Sequence, residues 1–340
     1  MRVGRLLDHP VAARGVDYGR RAIELVFADA NAAGGIRGEA LEVVDCDAVG
    51  SMDRVAAGAR RLAADGCVLI LGPAVTDFAV PLVPVLDELQ VPAVNWAGSA
   101  LARGAWMFQL KVGSLPDEAG HLTRLLAGRG YRRIVVARDR GPIGDEYVAF
   151  LRRGLETTGV AIVADVELAA GVDVGAAARA WRALDPECVV YLGFGTIGVA
   201  LCRTLRDFAW TVPVVGNIGI GVSPSPELNG VVFTDVVDET NPVLRRFADR
   251  YQVRHGTPPT LLGLAAAHDL AATAVEALRL APAPTPAGVR AGLERICGLP
   301  AAAGAPGTTI GFGPWDRDGY KGALIVFREI RDSRAVAHRL

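Results

Sequence analysis

The most constraining feature of this chain is an alternation that occupies its first third. Short apolar runs take turns with helical patterns, in the order "VGRLLD", "DYGRRAIELVFADANAAGG", "ALEVVDCD", "MDRVAAGARRLAADG", "CVLILG", "DFAVPLVPVLDELQ" and "PAVNW". A β-α-β-α-β-α-β order requires parallel strands with helices on both faces. Glycine exits in "NAAGGIRG" and "ADG" mark where two of the helices stop. From about residue 115 the rhythm restarts: "DEAGHLTRLLAGRG", "RRIVVARD", "GDEYVAFLRRGLETTG", "AIVADVEL", "VGAAARAWRALD", "ECVVYLGF", "GVALCRTLRDFAW" and "VPVVGN". After "GVVFTDV" the grammar changes to consecutive helices, which need a sheet to cover. The tail "TTIGFGPWDRDGYKGALIVFREI" reads as strands around a turn, so the chain passes between lobes more than once. "APAPTP" at 281–286 is a stiff surface connection, because helical pattern resumes directly after it. At 340 residues the chain is too long for one ordinary core. The expected fold is α/β, with two doubly wound parallel-sheet lobes.

Charge and motif content then remove several functions. Thirty-six Lys plus Arg against 37 Asp plus Glu leave a formal charge of −1, with no run of like charge; nothing here is built for a polyphosphate backbone, so no nucleic-acid partner is expected. The longest candidate for a membrane span, around Leu261–Leu280, is interrupted by His268, Asp269 and Glu276, so the chain is not expected to span a membrane itself. Met1 leads at once into a strand-like run, so the chain is expected to stay in the cytoplasm unless an export leader lies outside this sequence. Five cysteines, Cys46, Cys67, Cys188, Cys202 and Cys297, are odd in number and lack C-x-x-C spacing; they read as buried reduced thiols and mildly favour a reducing compartment.

No G-x-S-x-G elbow, H-E-x-x-H or Walker loop occurs, and the five histidines show no pair at metal-ligand spacing. No metal, cofactor or catalytic residue is expected. One decoy is the "YLGFGTIGVAL" run, where Gly193, Gly195 and Gly198 have G-x-G-x-x-G spacing between strand and helix, which makes a dinucleotide-dependent oxidoreductase the rival. The acidic residue that should hold the ribose some 20 positions on is missing. "VPVVGNIG" offers Gly216 and Asn217 there, and the run closes the second lobe's pattern rather than opening a βαβ unit.

In open parallel sheets ligands sit beyond the carboxyl ends of the strands, where strand order reverses. The strand-end residues are Asp8 and His9, Gly72 to Asp77 and Asn95 to Ser99 in the first lobe. In the second they are Asp139, Phe194 to Thr196 and Asn217 to Gly219. Thr76 stands where a helix begins and Ser99 opens the next turn, so each hydroxyl is expected beside free backbone N–H groups, a place that attracts a carboxylate. Either alone reads equally as a plain N-cap. Two at successive strand ends point to a ligand clasp.

These residues together resemble the periplasmic binding protein type I family, in its branched-chain amino-acid (leucine/isoleucine/valine)-binding branch of ABC transporter substrate-binding proteins. The similarity runs through "ADANAAGGIRGEALEVVDCD", "ARRLAADGCVLILGPAVTDFAVPLVPVLDELQVPAVNWAGSALA", "YRRIVVARDRGPIGDEYVAFLRRGLETTGVAIV", "AAAHDLAATAVEAL" and "IGFGPWDRDGYKG". It implies two lobes joined by a three-crossover hinge, 1–113 plus 241–314 and 114–240 plus 315–340, closing like a clam on a small ligand. It also implies that the first lobe holds the ligand's carboxylate or amide through Thr76, Ala97 and Ser99, with Val75 and Gly98 beside them.

The second lobe departs from the family pattern. Ile143 precedes Gly144 where the family's amino-acid binders place a tyrosine, and Ile218 stands about where they present an acid to the ligand's ammonium. Asp139, Asp235, Asp238 or Glu239 could substitute. The first turn departs too, with His9 and Arg14 in "LLDHPVAARG". Together with Trp96 these suggest an apolar site with a cationic accent, and Phe194 is a further candidate for ligand contact. The expected ligand is an amino acid or, favoured by the departures, a carboxylic acid or amide with a hydrophobic or aromatic body. The resemblance implies an ABC permease as partner if the protein is periplasmic, and an amide-type sensor if it is cytoplasmic. A transcription regulator of this fold would need a DNA-reading helix-turn-helix before the first strand, where none is expected.

Overall fold

A computed structural model describes residues 1–8, 18–169, 172–193, 196–222, 224–256 and 260–338. The backbone divides into two compact units, Met1–Val112 with Val237–Leu324, and Gly113–Val236 with Ile325–Leu340. The chain thus passes between units after Val112, Val236 and Leu324. Residues 315–324 fall in the first unit rather than with the tail. A bridge from Gln109 to Asp318 and the pairing of Tyr320–Lys321 with Thr309–Ile310 hold them there.

The first unit opens with β1 (Arg2–Leu7), α1 (Tyr18–Ala32), β2 (Glu42–Asp47), α2 (Met52–Ala64), β3 (Leu69–Leu71), α3 (Thr76–Leu89), β4 (Ala93–Asn95) and β5 (Met107–Gln109). These strands form a five-stranded sheet in the order β2-β1-β3-β4-β5 with parallel pairing throughout. α2 shows why the local sequence folds so. Ser51 caps it by accepting from the Arg54 N–H, and Val55, Ala59 and Leu62 bury one face while Arg54, Arg60 and Arg61 stay in solvent.

The second unit supplies α4 (Leu115–Gly128), β6 (Arg133–Asp139), α5 (Pro142–Leu155), β7 (Ala161–Leu168), α6 (Val174–Arg182), β8 (Cys188–Leu192), α7 (Thr196–Asp207), β9 (Val214–Gly216) and β10 (Val232–Asp235). Alternate residues of its strands feed two cores. Ile134, Val136 and Val190 pack with Leu122 and Leu151 on one face. Val135, Ala137, Val189 and Tyr191 pack with Trp181 and Leu201 on the other. Strands buried on both faces explain why these runs are continuously apolar.

The chain returns to the first unit for α8 (Pro242–His255), α9 (Leu261–Leu280), α10 (Pro286–Leu293) and the short antiparallel sheet of β11 (Leu299–Pro300), β12 (Thr309–Ile310) and β13 (Tyr320–Lys321). It ends in the second unit with β14 (Val326–Arg331) and β15 (Arg334–Ala337), which extend that sheet antiparallel to the order β15-β14-β10-β9-β8-β6-β7. α9 has the length and composition of a membrane-crossing helix. It packs instead on α1 and α10 and carries a fully buried carboxylate, Asp269, at its centre. That carboxylate accepts from the Ala302 and Ala303 N–H groups and the Tyr320 hydroxyl at 2.7, 2.9 and 3.0 Å.

Candidate functional site

In the first unit strand order reverses between β1 and β3. At that edge the Asp8 carboxylate accepts from the Ala74 and Val75 N–H groups at 2.7–3.0 Å. The sequence expectation that these N–H groups stand free for a ligand is therefore corrected: a buried side chain of the same unit already holds them. Thr76 opens α3, and Val75 at its N-cap position offers no side-chain acceptor. The Thr76 hydroxyl oxygen accepts instead from the Gly98 N–H at 3.2 Å, which stitches the turn after β3 to the turn after β4. Accepting that bond leaves the hydroxyl proton available to an outside acceptor.

The second turn is held from behind. Asn95 accepts from the Ala97 N–H and donates to the carbonyls of Ala102 and Phe108. Gln109 donates to the carbonyls of Ala97 and Ser99. Ser99 is fully buried, and its hydroxyl oxygen accepts from the Leu101 N–H at 3.3 Å, capping a short 3₁₀ turn. Trp96 is fixed through its backbone, its N–H on the Pro73 carbonyl and its carbonyl receiving Val112 N–H. Its indole Nε1 is buried and has no hydrogen-bond partner. The structure thus brings Val75, Thr76, Trp96, Ala97, Gly98 and Ser99 into one rigid pair of turns. His9 and Arg14 lie outside the described residues.

In the second unit strand order reverses between β6 and β8, and again an aspartate ends the first strand. The Tyr191 hydroxyl donates to Asp139 Oδ1 at 2.7 Å. Asp139 also lies directly against Gly193, where any Cβ would sit 2.3 Å from its carboxyl carbon. Asn217 accepts from the Gly193 N–H at 3.1 Å, filling the place where a dinucleotide fold would keep its ribose-binding acid. Gly198 lies against the Tyr191 ring. The described glycines of the decoy run therefore have packing reasons. Ile143 is half-buried in the first turn of α5 and packs on the core; Phe194 lies outside the described residues.

Three of the alternative counter-charges, Asp139, Asp235 and Asp238, make bonds within their own unit. Asp139 is held as above. Asp235 is buried against Arg328 at 3.2 Å and accepts its neighbour's N–H. Asp238 accepts from the N–H and hydroxyl of Thr240; Glu239 beside it is half-buried. Among the described residues no three His, Cys, Asp or Glu side chains gather as a metal ion would require.

Sequence reasoning missed Glu118. This α4 carboxyl is buried, accepts from the Ser114 N–H at 2.9 Å and the Ile218 N–H at 3.0 Å, and takes the Thr234 hydroxyl as a third donor. The Tyr147 hydroxyl lies close enough to perturb it without reaching hydrogen-bond geometry. Burial raises the Glu118 pKa, and the bonds it accepts oppose that shift. A local signal exists in "SLPDEAG", where a serine cap is followed by acids. It announces a helix start on the surface and gives no hint of the two distant donors.

The sequence profile described as "Periplasmic binding protein" matches residues 12–321. The "Leu/Ile/Val-binding protein BraC3" of Rhizobium johnstonii is 23% identical over 244 residues, which cover 69% of this chain and 66% of that protein, a little under two thirds of its length. Among solved structures, an ABC transporter substrate-binding protein from Desulfitobacterium hafniense in complex with Leu superposes with a TM-score of 0.85 at 19% identity, covering 99% of both chains. LivJ of Streptococcus pneumoniae in complex with isoleucine gives 0.84 at 17% identity, covering 99% of this chain and 98% of its own. These likenesses establish the fold, and with the profile match over most of its length the chain belongs to the periplasmic binding protein family.

Proposed function

We propose that this chain is the solute-binding component of an ABC-type importer, and that its ligand is a small carboxylic acid or amide with an apolar body and no free ammonium group. It binds without turnover and hands its ligand to a membrane permease, which places it outside the cytoplasm. The family supports the binding role, and the solved relatives named above hold leucine and isoleucine. What favours an acid or amide over those amino acids is the buried Asp235–Arg328 pair, which withholds that carboxylate, together with the resemblance, which puts Ile218 about where the family presents an acid to the ligand's ammonium. Enclosing an ammonium without a counter-charge typically costs about 3–5 kcal/mol, a loss of several hundred-fold or more in affinity.

The first unit's turns supply the complementary chemistry. Thr76 offers a hydroxyl proton and Trp96 an indole N–H that lacks an acceptor. Both are donors, which suits an oxygen-bearing acid or amide head group. A thermal-shift screen against amino acids, aliphatic amides and aliphatic or aromatic acids tests this reading. A ligand at 100 times its dissociation constant adds about 2.7 kcal/mol of stability. The expected result is stabilisation by acids or amides alone; stabilisation by leucine, isoleucine or valine alone contradicts it.

A further inference from the structure

We propose that Glu118 is a positioning residue for ligand binding: its carboxyl presets the turn that carries Ile218. This rests on the reading that the strand-end turns, Ile218 among them, contact the ligand. Three donors from separate parts of the second unit converge on this one side chain, the Ser114 N–H at the start of α4, the Ile218 N–H after β9, and the Thr234 hydroxyl in β10. Glu118 is 1% exposed and Thr234 0%. A carboxyl whose only task was to cap α4 would need the Ser114 contact alone and could remain in solvent.

The arrangement includes the first residue of the unit. Gly113 has φ +83°, and a Cβ there would lie 2.5 Å from Glu118 Oε1 and 3.0 Å from Ile218 Cγ2. The carboxyl, the Ile218 side chain and the backbone at Gly113 are therefore packed as one body, so the turn cannot shift without breaking the bond to Glu118. Tyr147 is the titratable side chain that faces the carboxyl; among the described residues Glu118 makes no ion pair. The 218–222 turn is short and glycine-rich; Ile220, fully buried in the core, anchors its middle, and the bond to Glu118 fixes the end that carries Ile218.

The test is site-resolved amide hydrogen exchange on Glu118→Ala and Gly113→Ala, with calorimetry of 4-methylpentanoate on the same proteins. The expected result is exchange at the Ile218 amide at least 10-fold faster in either variant, with the β8 amides of Val189 to Tyr191 within 2-fold of wild type. Affinity for 4-methylpentanoate should fall at least 10-fold. Unchanged Ile218 exchange, a rise shared equally by β8, failure of both variants to fold, or selective loosening with unaltered affinity would each overturn the proposal. If wild type does not bind 4-methylpentanoate, the ligand reading fails at that acid, and Ile218 exchange alone still decides whether Glu118 sets the turn.

Discussion

Asp8 and Asp139 occupy equivalent places in the two units, each ending the strand beside which strand order reverses. Each makes bonds within its own unit, Asp8 with the N–H groups of the turn after β3 and Asp139 with the Tyr191 hydroxyl. A charged hydrogen bond of this kind contributes about 1.5–3 kcal/mol, which is reason enough for an acid to stand at a strand end. The cysteines show the same distinction between residue type and role. Burial pushes the Cys67 and Cys202 thiols up to about 11 and Cys188 up to about 12, and raises Cys46 as well. Cys297 is exposed, against the expectation of buried thiols throughout. A raised thiol pKa leaves the neutral form dominant at pH 8, with about one part in a thousand as reactive thiolate at pKa 11. Titration with a chromogenic disulfide at pH 8 should count one thiol in the native protein and five in denaturant; two or more fast-reacting thiols in the native state would contradict this burial.

At the scale of elements, the sequence was most legible where one face or both faces of a segment are buried. α2 shows its apolar stripe and its serine cap openly, and β6 and β8 read as continuous apolar runs because both of their faces are covered. α3 reads as a helix despite Pro81 and Pro84, and burial of Ala79, Leu82 and Leu86 holds it so. The strand-end turns were placed correctly along the chain, but their hydrogen bonds were not legible. Which acceptor takes the Gly98 or Ile218 N–H depends on residues 22 and 100 positions away, and no local pattern encodes that distance. Asp269 in α9 belongs to the same class. It read as an interruption of an apolar stretch and proves to be the tie between that helix and the 301–303 segment and Tyr320. Asp269→Leu should destabilise the protein by about 3–5 kcal/mol, since it leaves two N–H groups and a hydroxyl buried without partners. Urea denaturation would measure it, and a loss below about 1 kcal/mol would show that the tie carries little.

For the whole molecule, two βαβ-built units share one logic, a sheet whose carboxyl-end turns are fixed from within, with the side chains that face outward free to differ. The first unit keeps the Thr76 hydroxyl and the Trp96 indole N–H in its paired turns. In the second, Glu118 takes the Ile218 N–H, Asp139 takes the Tyr191 hydroxyl and Asp235 pairs with Arg328. On the proposed reading, the ligand is an acceptor that brings no cation. Calorimetric titration of leucine and of 4-methylpentanoate, the same skeleton without the ammonium, tests this most directly. The account predicts binding of 4-methylpentanoate at least 100-fold tighter than leucine; micromolar leucine binding with none for the deaminated acid would contradict it.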